Sequence, residues 1–363
     1  MEKIPTIDKD IRKASTLPSS FYKDPGIFEL CKEQIFSKCW HLLGDNDAVK
    51  APGQIQPLTL LEGFLDEPIL LTRDHNDALH CLSNVCTHRG NILVDGCTMD
   101  KAIKCRYHGR RFALDGSFQH MPEFEGAENF PSQKDNLPKL AKGLWGNFIF
   151  AALEPAFLFE ELLHEMQQRV GWLPLNSFFY EPALSRDYLV HCNWALYCDN
   201  YLEGFHIPFI HPDLNNTLDY NSYKSEIYKY SNLQIGVAKK GEVCFNLPAS
   251  SPDYGQSIAA YYFWLFPNMM FNFYPWGLSV NVVKPLTPDR CKVSFQSYIY
   301  DKSLLSKGSG AMLDKVERED ESVVEKVQRG VSSRLYESGR YSPNREQGVH
   351  HFHSLISQFL NRH

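Results

Sequence analysis

No apolar run in this sequence is long enough to cross a bilayer. The most hydrophobic stretch, Tyr261 to Tyr274, is broken by Pro267 and Asn268, whereas a spanning helix needs about 20 consecutive apolar residues. The opening segment, Met1 to Asp10, mixes charges and has no apolar core, so neither a secretory signal nor a membrane partner is expected. Positive charge is not in excess. Lys and Arg number 37 against 43 Asp and Glu, a net charge of −6, which argues against a nucleic-acid partner. No G-x-G-x-x-G fingerprint appears, so a dinucleotide is not expected on this chain, and any electrons from one must arrive through another protein. The ten cysteines lack the spacing of a disulfide scaffold. With no export signal, thiols that bind metal or simply pack are the better expectation, in a cytoplasmic setting. Internal repeats and low-complexity tracts are also missing.

What is present is enough for a large core. The chain has 363 residues, 43% hydrophobic and 22% charged, which fits one large or two ordinary domains. Residues 1–37 read as an arm with a short helix over Gly26 to Lys38. Residues 38–152 alternate short β-type runs with turn signals. Ile69 to Thr72 and Ala78 to Val85 flank one turn, Asp115-Gly116 makes another, and Trp145 to Ala151 reads as a further strand. Residues 153–363 begin with a helix over Phe157 to Val170. A helix over Asn193 to Phe205 follows, stopped near Pro208. Six strand-like segments lie between Lys224 and Tyr300. A helix over Gly310 to Arg329, ended by Gly330, and another over Arg345 to Leu360 complete the chain. The class is α+β: a small all-β domain, then an antiparallel sheet gripped by helices.

Two constellations carry chemistry. Cys86-Thr87-His88-Arg89-Gly90 is followed by Cys105-Arg106-Tyr107-His108-Gly109, with sixteen residues between His88 and Cys105. Each clip offers one thiol and one imidazole. Two thiolates can hold one iron and two imidazoles another, an asymmetry that raises the potential of an iron–sulfur cluster. A zinc site prefers Cys pairs and His pairs at short spacing, which this pattern lacks. Gly90 and Gly109 would let backbone amides approach the cluster sulfurs. The other eight cysteines have no such partners and read as core or surface thiols.

The second constellation is His206-x₄-His211, with Pro208 between. Two histidines five apart do not share one face of a straight helix. A helix ending at Pro208 would let the chain turn and bring both to one point. A ferrous site needs two histidines and a carboxylate on one face, leaving the other open. Asp320 is the best carboxylate, with Glu317 as the alternative. On helical geometry Asp320 shares a face with Leu313, Val316, Val323, Val324 and Val327, while Glu319 and Glu321 point to either side. An acid on an apolar stripe is costly unless paired or metal-bound.

At these residues the chain resembles the Rieske non-haem iron oxygenases, catalytic subunit. The two clips with Phe112, Asp115 and Gly116, the acid-x₂-His-x₄-His run, Asp320, Val327 to Gly330 and Tyr341 to Pro343 carry the likeness. The resemblance implies a Rieske [2Fe–2S] cluster on Cys86, His88, Cys105 and His108, and a mononuclear Fe(II) on His206, His211 and Asp320. It also implies O₂ as co-substrate and NAD(P)H used through a flavin or iron–sulfur reductase or a ferredoxin. Glu203 takes the place of an acid that joins the iron histidine to His108 of the partner subunit, with Asp199 as the other candidate, and this implies a homotrimer. Glu where the usual residue is Asp looks like the branch that acts on choline, carnitine and betaine. Tyr261, Phe263, Tyr274 and Trp276 would then form a cation cage. Hydroxylation of an aromatic ring is the alternative, and a non-catalytic electron carrier the remote one.

Overall fold

The structure is a computed structural model and describes residues 6–311 and 313–362. It divides into two compact units, Ser37–Ala156 and the remainder of the chain. No helix among the described residues is long and apolar enough to cross a membrane.

The chain enters through α1 (Pro25–Gln34), whose N-cap Asp24 accepts from Gly26 N at 2.7 Å and Ile27 N at 3.1 Å. The expected helix to Lys38 stops at Gln34 and gives way to a 3₁₀ turn at Phe36–Lys38. The Ser37–Ala156 unit holds β1 (His41–Asp45), β2 (Gln54–Leu60), β3 (Glu67–Arg73), β4 (Leu79–Ser83), β5 (Thr98–Met99), β6 (Ile103–Lys104), β7 (Arg111–Phe112), β8 (Phe118–His120), β9 (Ala141–Trp145) and β10 (Phe148–Ala152). They form antiparallel sheets in the orders β4-β3-β2-β5, β1-β10-β9 and β6-β7-β8. Alternation on β3 divides two cores: Ile69 and Leu71 enter one, and Leu70 joins Leu82, Cys86, Cys105 and Phe112 in the other. The segment read as one strand from Trp145 to Ala151 is instead a hairpin. Trp145 pairs with Phe148, and the turn passes through Gly146 at φ +55°.

The unit's only fully buried arginine, among the described residues, holds its loops together. Arg110 lies under Phe118, Phe112 and Phe130 and donates to Asp135 Oδ1 at 2.7 Å and to Asp135 O at 3.1 Å. Thr87 Oγ1 donates to the same carbonyl at 2.8 Å. Both cysteine–histidine clips are therefore tied to one residue. Burial alone would raise the Asp135 carboxyl, but hydrogen bonds from Arg110 and Ser132 hold it below the usual carboxylate range.

The second unit is built on an antiparallel sheet. Its strands are β11 (Phe179–Tyr180), β12 (Arg186–Val190), β13 (Lys224–Ile227), β14 (Ser231–Val237), β15 (Ile258–Leu265), β16 (Met269–Tyr274), β17 (Gly277–Thr287) and β18 (Arg290–Ile299). The order is β11-β18-β17-β16-β15-β14-β13, with β12 also on β18. Its helices are α2 (Phe159–Val170), α3 (Trp194–Tyr201), α4 (Ile207–Ile210), α5 (Pro212–Thr217), α6 (Leu313–Val331) and α7 (Gln347–Leu360). Phe352 of α7 packs on Trp194 and Trp264, and α3 lies against α6 and β17. On the opposite face, Arg169 of α2 reaches Asp253, which accepts from Tyr261. α6 runs one residue past Gly330, which does not stop it.

We expect Arg110→Met to leave Asp135 unpaired and to lower the stability of this protein by about 2–3 kcal/mol. That is less than for a fully enclosed pair, because Asp135 keeps some water. Urea unfolding checks it; an unchanged midpoint would contradict the stapling role.

Candidate metal centres

The two clips make the same turn. Cys86 N donates to Asn91 O at 2.8 Å and Gly90 N to Cys86 O at 3.0 Å; Cys105 N donates to Arg110 O at 2.8 Å and Gly109 N to Cys105 O at 3.0 Å. Gly90 and Gly109 sit at φ +69° and +76°, which only glycine adopts at little cost. Their own amides are spent on cysteine carbonyls, which closes each turn. Within the first turn the amides of His88 and Arg89 approach the Cys86 sulfur, and Asn91 Nδ2 donates to Cys105 Sγ at 3.7 Å. Burial pushes the Cys86 thiol up, partly offset by those amides. The thiols are buried and in hydrogen-bond contact, and the His88 and His108 rings lie further out, centroids 4.9 Å apart. His108 Nδ1 is buried with no hydrogen-bond partner among the described residues. An orphaned nitrogen beside two enclosed thiols suits an inward-facing metal cluster.

The second centre rests on a broken helix. α3, capped by Asn193, ends at Tyr201 rather than Phe205. At Gly204 a Cβ would lie 2.6 Å from the Tyr223 ring, so the chain turns there through a residue without one. Pro208 does not end the preceding helix. It lies in the first turn of α4, where its missing N–H costs nothing.

Glu203 folds back over this turn and accepts from His206 N at 3.1 Å, from Phe205 N, and from His206 Nδ1 at 2.7 Å. His211 Nδ1 donates to Glu319 Oε2 at 2.7 Å. With both Nδ1 atoms engaged, both Nε2 atoms face Asp320 Oδ1, at 3.6 Å from His206 and 3.0 Å from His211. The three potential ligand atoms lie within 4.8 Å of one another. Carboxylates on the outer nitrogens fix the tautomer that leaves Nε2 lone pairs free for a metal. Glu319 therefore does not point aside as expected. Neighbours on a helix differ by about 100°, and the His211 ring sits between them, one nitrogen to each. The apolar stripe is also shorter than expected, since Val327 is exposed. Asp199 is elsewhere, accepting from Tyr22 Oη at 2.9 Å and paired with His353 Nε2 at 2.8 Å.

A cavity opens on this point. A cross-strand row, Gln234, Tyr262, Asn272 and Ser279, lines it in direct register across four strands. Tyr197, Tyr201, Tyr223 and Tyr274 complete an aromatic wall, and Glu317 faces it from α6. Of the expected cage, only Tyr274 lines this cavity. Tyr261 and Phe263 have the opposite parity to Tyr262, and Trp276 lines a neighbouring cavity. Period-two alternation on β15, with the half-buried Tyr262, was the signal that could have found the wall. Burial, then the carboxylates of Asp314, Glu321 and Asp320, push Glu317 well above the usual carboxylate range.

Comparison with known proteins decides the family. Residues 39–131 match the Rieske [2Fe–2S] domain, and residues 172–361 the ring hydroxylating alpha subunit (catalytic domain). The chain belongs to the Rieske non-haem iron oxygenases. As in that family, a Rieske domain and a mononuclear iron domain share one polypeptide. Chloroplastic choline monooxygenase of Arabidopsis thaliana is 33% identical over 370 residues, 96% of this chain and 84% of that protein. The carnitine monooxygenase oxygenase subunit of Escherichia coli (strain K12) is 28% identical over 363 residues, 96% of this chain and 94% of that one. A solved quaternary ammonium Rieske monooxygenase linked to carnitine oxidation superposes with TM-score 0.77 at 25% identity, covering 98% of this chain and 99% of that one. Naphthalene 1,2-dioxygenase from Rhodococcus sp. shares the fold, with TM-score 0.70 at 17% identity over 95% of this chain and 93% of that one.

Glu319→Gln keeps an acceptor beside His211 but also offers a competing donor and loses the charge. We expect iron retention at the mononuclear centre to weaken by about 10–100-fold. Chelator competition followed by iron analysis reads this, and wild-type retention would contradict the orienting role.

Proposed function

We propose that this chain is the oxygenase component of an enzyme that hydroxylates or oxidatively demethylates a small quaternary ammonium compound. The observation that carries this reading is the tyrosine-walled, acidic cavity opening on His206, His211 and Asp320. Aromatic faces attract quaternary ammonium groups. The relatives named for choline and carnitine turnover support the same class. An aromatic-ring substrate would favour a more apolar wall than this one, with its carboxylates and amides. A bare electron carrier would have no use for the second donor set.

In this reading Cys86, Cys105, His88 and His108 hold the cluster and His206, His211 and Asp320 the iron. When bound, the cluster relays single electrons and the ferrous iron activates dioxygen. The chain's own residues orient and seal. Glu203 and Glu319 keep the histidine tautomers, the staple at Asp135 keeps the clips in place, and the tyrosines exclude water around the substrate. Electrons come from NAD(P)H through a separate flavin or iron–sulfur reductase or a ferredoxin. A reducing cytoplasmic setting suits ten cysteines of which none is in a disulfide. A homotrimer would bring His108 of the partner subunit to Glu203. Exposed Phe205 and Phe209 beside Glu203, and exposed Tyr107 beside His108, support such contacts.

The test is a panel of trimethylammonium and aromatic candidates with a surrogate reductase, scored by oxygenated product rather than O₂ uptake. Product from an ammonium compound is expected; product from aromatics alone would refute the class. Asp320→Ala should lose the mononuclear iron and all turnover while keeping the Rieske spectrum, and normal turnover would refute the ligand assignment. Glu203→Gln keeps an acceptor for His206 but removes the charge. Loaded with excess iron to offset a weakened His206 ligand, it should keep the Rieske spectrum and slow single-turnover product formation; wild-type kinetics would remove its bridging role.

A further inference from the structure

The inner cavity has a charge pattern that the family reading does not explain. Its lining includes the carboxylates of Glu203, Glu317 and Asp320 and, among the described residues, no lysine or arginine. Glu203 is held by His206 and Asp320 by His211. A bound iron further offsets Asp320. Glu317 has no hydrogen-bond or ion-pair partner among the described residues, and burial disfavours its charge. It stands where the inner cavity meets an adjoining one, and both share Ser279, Leu313 and Glu317. The buried hydroxyls of Tyr262 and Ser309, also in the inner lining, approach each other and Tyr262 approaches Tyr274, with no charged group engaging either, and the indole N–H of Trp276 in the adjoining cavity has no hydrogen-bond partner among the described residues.

We propose that Glu317 is the specificity residue of this cavity: it supplies the counter-charge for the substrate's ammonium head and selects quaternary ammonium alcohols over quaternary ammonium carboxylates. This rests on the substrate class proposed above and narrows it. A cation completes the unpaired acid in a setting where water is scarce. A hydroxyl on the substrate can donate to or accept from the lining hydroxyls of Tyr262 and Ser309. A carboxylate would meet Glu317 with no cation in the inner lining to receive it. The nearest guanidinium in the adjoining cavity, Arg186, is more than half exposed and already faces Asp314 at 3.7 Å, which makes it a weak anchor. Choline is the simplest compound of the favoured kind, and glycine betaine of the disfavoured kind.

Calorimetric titration of the iron-loaded holoenzyme tests this without a reductase. The ligands are choline, its neutral isostere with a tert-butyl group in place of trimethylammonium, glycine betaine and indole. Wild type should bind choline at least about tenfold more tightly than the isostere or betaine. Glu317→Gln, checked for unchanged iron content and Rieske absorption, should bring choline and isostere within about twofold to threefold. Betaine bound by wild type as tightly as choline would overturn the proposal, and so would a Glu317→Gln protein that keeps the full preference for choline over its isostere. Binding of indole with none of the ammonium compounds would overturn the substrate class itself, and the role of Glu317 with it.

Discussion

Everything at the iron-binding end of this protein depends on where two imidazole protons point. His206 and His211 each give the Nδ1 proton to a carboxylate, Glu203 and Glu319, at 2.7 Å. Only then do both Nε2 lone pairs converge on Asp320. The backbone is arranged to serve this. α3 breaks at Gly204 so that Glu203 can cap the following turn and reach the histidine three residues on. α6 presents two adjacent acids to the two nitrogens of one ring. One helix thus supplies both a metal-facing and an orienting carboxylate, and Lys315 Nζ, 3.9 Å from Glu319, partly balances their charge.

The sheet does the complementary work. Because residues two apart share a face, the row Gln234, Tyr262, Asn272 and Ser279 forms a polar ridge beneath the helices, and the opposite parity, Tyr261, Phe263 and Phe273, fills the core behind it. Tyrosines are well suited to such a wall. Their rings offer an apolar, electron-rich face, and the hydroxyls of Tyr201 and Tyr223 are tied back to Asn272 and Gln234, which fixes those rings. The wall, the acids and the open metal face together define a chamber for a compact cation.

Much of this was legible in the residues. C-x-H and C-x-x-H clips, H-x₄-H and an acid on an apolar helical stripe have few other uses together, and the family comparison agrees with the resemblance they carry. The α+β class and most strands followed from alternation and turn signals. What failed was local competition. Pro208 reads as a helix stop, but a first-turn proline starts α4, and the break is set upstream by a tertiary contact between Gly204 and Tyr223. Glu319 read as pointing aside because the ring it orients, that of His211, lies far away in sequence. The Arg110 and Asp135 staple was invisible for the same reason, 25 residues separating its halves.

The central claim is that two iron centres of unlike ligation occupy this one polypeptide. Electron paramagnetic resonance of the iron-replete protein, reduced and then exposed to nitric oxide, tests it most directly. The account predicts two signals from each chain: the spectrum of a cluster with histidine on one iron, shifted to lower average g and so to higher field than that of an all-cysteine cluster, and the high-spin signal of a ferrous nitrosyl with open coordination positions. A spectrum typical of an all-cysteine cluster, or the lack of any high-spin nitrosyl in protein shown to contain three irons, would contradict it.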